Sequence, residues 1–104
     1  MKISVVKLLS SAWVLVMALP ISAQAADGEA VYKGTCAMCH AQGVANAPKF
    51  GDAAAWKPRA ATGKDALMAS ALKGKGAMPA KGGNAGLSDA DVSAAIDYML
   101  AAAK

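Results

Sequence analysis

Two cysteines and one histidine are the only residues of their types in this chain of 104, and all three fall in one stretch, Cys36-Ala37-Met38-Cys39-His40. Two unrelated chemistries compete for such a cluster. A redox dithiol of the thioredoxin kind also uses Cys-x-x-Cys, but it needs a βαβ setting, and this sequence has few β-branched residues and no apolar alternation. A zinc or copper site needs more cysteine or histidine ligands than the chain owns. C-x-x-C-H, however, is the attachment sequence of c-type haem. Two thiols one helical turn apart can each add across one vinyl group of the same porphyrin. The imidazole next to the second thiol then swings under the iron. The motif therefore assigns Cys36 and Cys39 to two thioethers holding one haem c, and His40 to an axial position.

With its histidine spent, the chain can offer methionine, lysine, water or nothing at the opposite axial position. Met38 lies inside the attachment motif and cannot reach the other haem face. Met68 and Met99 sit on helical stripes, where core packing is the expected role. Met78 is different: it lies in Gly74-Lys75-Gly76-Ala77-Met78-Pro79, a loop freed by glycine and stiffened by proline. Such a loop can deliver sulfur to iron, and His/Met ligation is that of electron-carrying cytochromes c. Met78 is the expected metal ligand beside His40.

These residues must be positioned by very little chain. Lys2 and Lys7 precede an apolar run from Leu8 to Leu19, Pro20 ends it, and Ala23-Gln24-Ala25 follows as a small-x-small cleavage site. That order predicts a secretory signal peptide over residues 1–25, cut after Ala25, with no permanent membrane anchor and export to the periplasm. Residues 26–104 then form the single mature domain. Its 79 residues include 23 alanines and 10 glycines but only sixteen larger apolar side chains. A core that small is marginal by hydrophobic burial alone, and two cysteines allow no disulfide-dense scaffold, so a buried cofactor is expected on composition too. Nucleic acid is an unexpected partner, because no dense basic cluster is interleaved with aromatics.

The local signals are helical. Asp27 caps a helix expected to run to Cys39. Ala41 to Arg59 reads as loop, with one short turn around Asp52 to Trp56. Thr62 and Asp65 have capping-box spacing ahead of a helix carrying Leu67, Ala71 and Leu72, which Gly74 stops. Glycine-rich loop follows to Gly86. Ser88 and Asp91 form a second capping box, and Val92, Ala95, Ile96 and Met99 make one apolar stripe on a last helix to about Ala103. The fold class is all-α with long loops, and long loops in so small a domain suggest a wrapped ligand.

With the haem motif in place, the chain resembles the class I cytochromes c, most closely the small bacterial cytochrome c5 type. The resemblance is carried by Tyr32-Lys33-Gly34-Thr35 before the motif, Ala47-Pro48-Lys49-Phe50-Gly51-Asp52, Trp56-Lys57-Pro58-Arg59, Gly76-Ala77-Met78-Pro79-Ala80-Lys81-Gly82-Gly83, and Asp97-Tyr98-Met99. It implies three to four helices wrapped around one covalent haem. It implies that Gly28 and Tyr32 of the first helix cross Ala95 and Tyr98 of the last, and that the Pro48 carbonyl accepts the axial imidazole proton. Trp56 and Arg59 are implied partners of a haem propionate. Many cytochromes of this type carry a second Cys-x-x-Cys after the methionine loop; here those positions are Asn84 and Leu87.

Both axial positions filled leave no vacancy for a substrate, so the expected function is single-electron shuttling between redox partners of a respiratory chain, not catalysis. A redox subunit of a larger complex is the alternative, as is a haem ligand sensor if Met78 is not the axial ligand. Charge suggests the kind of partner. Between His40 and Lys81 lie seven basic and two acidic residues, whereas the rest of the mature chain has two basic and five acidic. A basic middle segment around the haem suits an acidic docking site on a membrane-bound cytochrome complex or terminal oxidase.

Overall fold

A computed structural model describes residues 26–104; the signal-peptide reading of residues 1–25 lies outside the described residues. Asp27 begins the first helical run as its sequence suggests: its backbone is extended and its carboxylate accepts from the Ala30 N–H at 3.2 Å. The run continues through α1 (Gly28–Val31), a π-helical turn (Tyr32–Cys36) and α2 (Ala37–His40). A wider turn shifts the side-chain register along the helix. Here the wider turn runs from Tyr32, buried in the core, to Cys36, which packs against the same cluster and leads on to Cys39 and His40.

The second element differs from the expected short turn. Asp52 caps α3 (Ala53–Ala60), accepting from the Ala55 N–H at 3.1 Å, and the helix runs on through Pro58. Proline removes only one backbone bond in so short a helix, and the alanines before it favour helix strongly. This extension undoes the expected Thr62–Asp65 capping box. Thr62 now lies just past α3, where its hydroxyl donates to the Arg59 carbonyl at 2.6 Å. Gly63 therefore takes the N-cap position of α4 (Lys64–Lys73), with no side-chain bond.

Gly74 ends α4 at φ 86°; a β-carbon there would lie 2.9 Å from the Met78 carbonyl oxygen, so glycine lets the next loop fold back on the helix end. The loop closes through reciprocal 3.0 Å backbone bonds between Lys75 and Met78. A 3-10 turn (Ala80–Gly83) follows. In α5 (Asp89–Ala102) both halves of the Ser88–Asp91 capping box form, at 3.0 and 3.1 Å. Its predicted stripe of Val92, Ala95, Ile96 and Met99 is buried throughout. Among the described residues there is no strand, and no helix is long and apolar enough to cross a membrane.

Helix α1 crosses α5 at Gly28. A β-carbon there would meet the Ala94 carbonyl oxygen at 2.2 Å and the Tyr98 Cβ at 3.3 Å. The crossing partner is thus Ala94 in place of the expected Ala95, which turns into the core at 1 % exposure. Tyr32, Phe50 and Tyr98 pack as an aromatic trio with centroids 4.6 to 5.5 Å apart. The core is divided. One cluster joins Tyr32, Trp56 and Met99, and another joins Ala71, Val92 and Ile96.

Candidate haem-binding site

The site begins where the first helical run ends. Cys36 closes the π turn and Cys39 follows three residues later, both as free, half-buried thiols. Burial pushes the Cys36 thiol above its ordinary value of 9.0. The intervening Met38 is 83 % exposed.

His40 is buried, and its Nδ1 lies 2.9 Å from the Pro48 carbonyl oxygen. A carbonyl can only accept, so Nδ1 carries the proton and Nε2 presents its lone pair. The same segment also holds the backbone of His40, since the Phe50 N–H donates to the His40 carbonyl at 2.7 Å. The intervening chain turns back through left-handed residues Gly43, Ala45 and Asn46. Alanine resists that conformation at about 1–2 kcal/mol, and nothing in its sequence announces it. Trp56 backs the imidazole, with rings 5.9 Å apart and 29° from parallel.

Trp56 and Arg59 lie on α3, with their donors turned to the backbone. The indole N–H donates to the Lys49 carbonyl at 2.9 Å, and Arg59 Nη1 donates to the Ala55 carbonyl at 2.6 Å. The first of these bonds was missed by sequence reasoning; a tryptophan seven residues beyond an acceptor in irregular chain carries no signal for it.

Met78 is half-buried against the Ala71, Val92 and Ile96 cluster, and Met68 packs on the same cluster. Met99 belongs to the other cluster at 4 % exposure. Between the clusters runs an apolar cleft whose walls include Cys36, Met78, Ala71, Leu87, Ile96 and Met99. One attachment thiol and the loop methionine thus line the same narrow cleft, together with members of both clusters. With a fixed imidazole lone pair and paired thiols, this donor set fits a covalently attached haem. Among the described residues, no three His, Cys, Asp or Glu side chains gather to hold a bare metal ion.

Residues 23–99 match the family described as cytochrome c oxidase, cbb3-type, subunit III. The chain is 51 % identical over 84 residues to cytochrome c-555 of Chlorobaculum tepidum, covering 77 % of this chain and 78 % of that one. It is 48 % identical over 77 residues to cytochrome c5 of Azotobacter vinelandii, covering 72 % and 93 %. The chain belongs to the class I c-type cytochromes. Its fold agrees with this membership. A chain in the crystal structure of an electron transfer complex of nitrite reductase with cytochrome c superposes at a TM-score of 0.72 and 55 % identity, over 75 % of this cytochrome and 95 % of that chain. Membership implies haem c as the cofactor and electron transfer as the activity.

Proposed function

We propose that this cytochrome is an exported single-electron carrier of the periplasm, with mature residues 26–104 holding one haem c between His40 and Met78. The observation that carries the reading is an imidazole whose Nδ1 is committed to Pro48, directly after a pair of thiols of which Cys36 shares a narrow apolar cleft with Met78. Once attached, haem c supplies a one-electron ferric/ferrous couple. The chain's residues set its terms. Cys36 and Cys39 anchor it through two thioethers. Pro48 fixes the His40 ring and raises its basicity as a ligand. The Met78 thioether favours the ferrous state and raises the potential. With His40 and Met78 both holding the iron, no position would remain on it for a substrate, which supports a carrier over an enzyme.

Trp56 and Arg59 are the proposed propionate partners. Arg59 has N–H groups beyond the one given to Ala55. The single Trp56 N–H would have to exchange the Lys49 carbonyl for the carboxylate. The partners are redox proteins with an acidic docking site, such as a membrane-bound cytochrome complex or terminal oxidase. The resemblance to a cytochrome in complex with nitrite reductase supports a redox enzyme as partner.

The visible spectrum tests the site. The oxidised protein should show a weak band at about 695 nm from methionine–iron ligation. Met78→Ala should abolish it, lower the potential and admit carbon monoxide. A Met78→Ala protein that keeps the band would overturn the ligand assignment. A second reading, a redox subunit of a larger complex, is favoured by the oxidase-subunit description of the matching family. Size-exclusion chromatography of native extract separates the two, since a carrier elutes alone as a small protein.

A further inference from the structure

Among the described residues, Lys81 is the one lysine whose side chain closes a loop onto itself. It lies in the 3-10 turn after Met78 and Pro79, with φ 54° and ψ 30°. That left-handed backbone is resisted by any residue with a β-carbon. Its stem lines the same cleft as Met78 and Cys36. Its ammonium reaches across six residues to donate to the Leu87 carbonyl at 2.8 Å, in a partly buried bond. Fixing a lysine stem costs side-chain entropy, and a charge-assisted bond is the kind that offsets it. Further bonds fasten the same segment: Asn84 Oδ1 accepts from the Gly86 N–H at 3.1 Å, and the Leu87 N–H donates to the Asn84 carbonyl at 3.2 Å. The turn is also seated on the attachment helix. A β-carbon on Gly82 would lie 2.9 Å from Thr35 Cγ2, next to Cys36.

We infer that Lys81 is a positioning residue for Met78: its tether to the Leu87 carbonyl holds the methionine loop against the haem-attachment turn. The inference rests on Met78 as the axial ligand. The tether closes the stretch from Lys81 to Leu87 just after Met78, so losing it frees the loop to swing the sulfur away. The lysine acts through Met78 and touches no reacting atom.

Carbon monoxide binding to the ferrous holoprotein reads the open fraction of the loop, and the band at about 695 nm reads sulfur ligation in the ferric form. Lys81→Leu removes the donor and keeps the stem. Lys81→Gly removes the donor and relieves the left-handed strain, so it also covers a Leu variant that folds poorly. Lys81→Arg keeps a donor and the charge. Both donor-free variants should bind carbon monoxide about tenfold faster than wild type, the scale of one lost hydrogen bond to a charged group, and show a weakened band well below the urea midpoint. Lys81→Arg should restore both readings. Carbon monoxide binding at the wild-type rate in Lys81→Leu and Lys81→Gly, while Met78→Ala binds fast, would overturn the tether and leave the ligand assignment standing. A fast Leu variant beside a wild-type-like Gly variant would trace the effect to backbone strain and also overturn it. Wild-type behaviour of Met78→Ala itself would sink the ligand assignment and this inference with it.

Discussion

Met78 and Met99 both line the cleft but differ in seating. Met99 is 4 % exposed on α5, packed with Tyr32 and Trp56, whereas Met78 is half-buried in a glycine-rich loop. Met99→Ala should therefore destabilise the protein by about 2–5 kcal/mol while leaving the band at about 695 nm intact; denaturant titration alongside the spectrum checks both halves. Tyr32 gives a second expectation at this scale. Burial first, then Tyr98 and Cys36, pushes its phenol above the ordinary 10.0. The raised value belongs to the folded state, so the unfolded chain releases its proton first. The contribution is fully present below pH 10 and is lost as pH rises through the folded value. Urea midpoints should fall more steeply above pH 10.0 in wild type than in Tyr32→Phe. Equal slopes would show that Tyr32 does not set this loss.

The crossing of α1 on α5 is a contact between backbones. Gly28 sits where a β-carbon would lie 2.2 Å from the Ala94 carbonyl oxygen, a distance that no rotamer change relieves. Gly28→Ala should cost about 1–3 kcal/mol of stability by overpacking. A wild-type thermal midpoint would show that the helices part freely there. The last helix was fully legible in its residues, because Ser88, Asp91 and the stripe from Val92 to Met99 are local and agree with one another. Helix α3 was not: a short turn around Asp52 to Trp56 was expected, and a capped run of alanines carries the helix on through Pro58. Thr62 was misread for the same reason: its partner depended on where α3 ended.

Over the whole molecule, charge is segregated along the chain and partly cancelled in space. Lys64 of the basic middle segment pairs with Asp97 of α5 at 2.6 Å, and Lys33 pairs with Glu29 at 2.6 Å. Lys49, Lys57, Arg59, Lys73 and Lys75 form no ion pair with a described residue and keep the middle segment positive. If this segment steers docking onto an acidic partner, association slows as the Debye length shrinks from about 10 Å at 0.1 M salt toward about 3 Å at 1 M. Stopped-flow oxidation by the native partner across that range measures it. A rate constant indifferent to salt, or rising with it, would remove the basic segment from recognition.

Residue types and spacings alone determined the helical class, the attachment motif, the singular position of Met78 and the caps at Asp27 and Ser88. All of these are local: a thiol pair one turn apart, or a side-chain oxygen three residues from a free N–H, is decided within a few bonds of chain. The turn of Pro48 onto His40 was implied only by resemblance. In space it depends on left-handed Ala45 and Asn46, a conformation that alanine does not advertise. The Ala94 crossing, the bond from Trp56 to Lys49, the tether from Lys81 to Leu87 and the parting of the core into two clusters were decided by tertiary structure. Each joins segments whose approach depends on how every helix packs, and in a chain this rich in alanine and glycine the side chains are too small to announce their neighbours in advance.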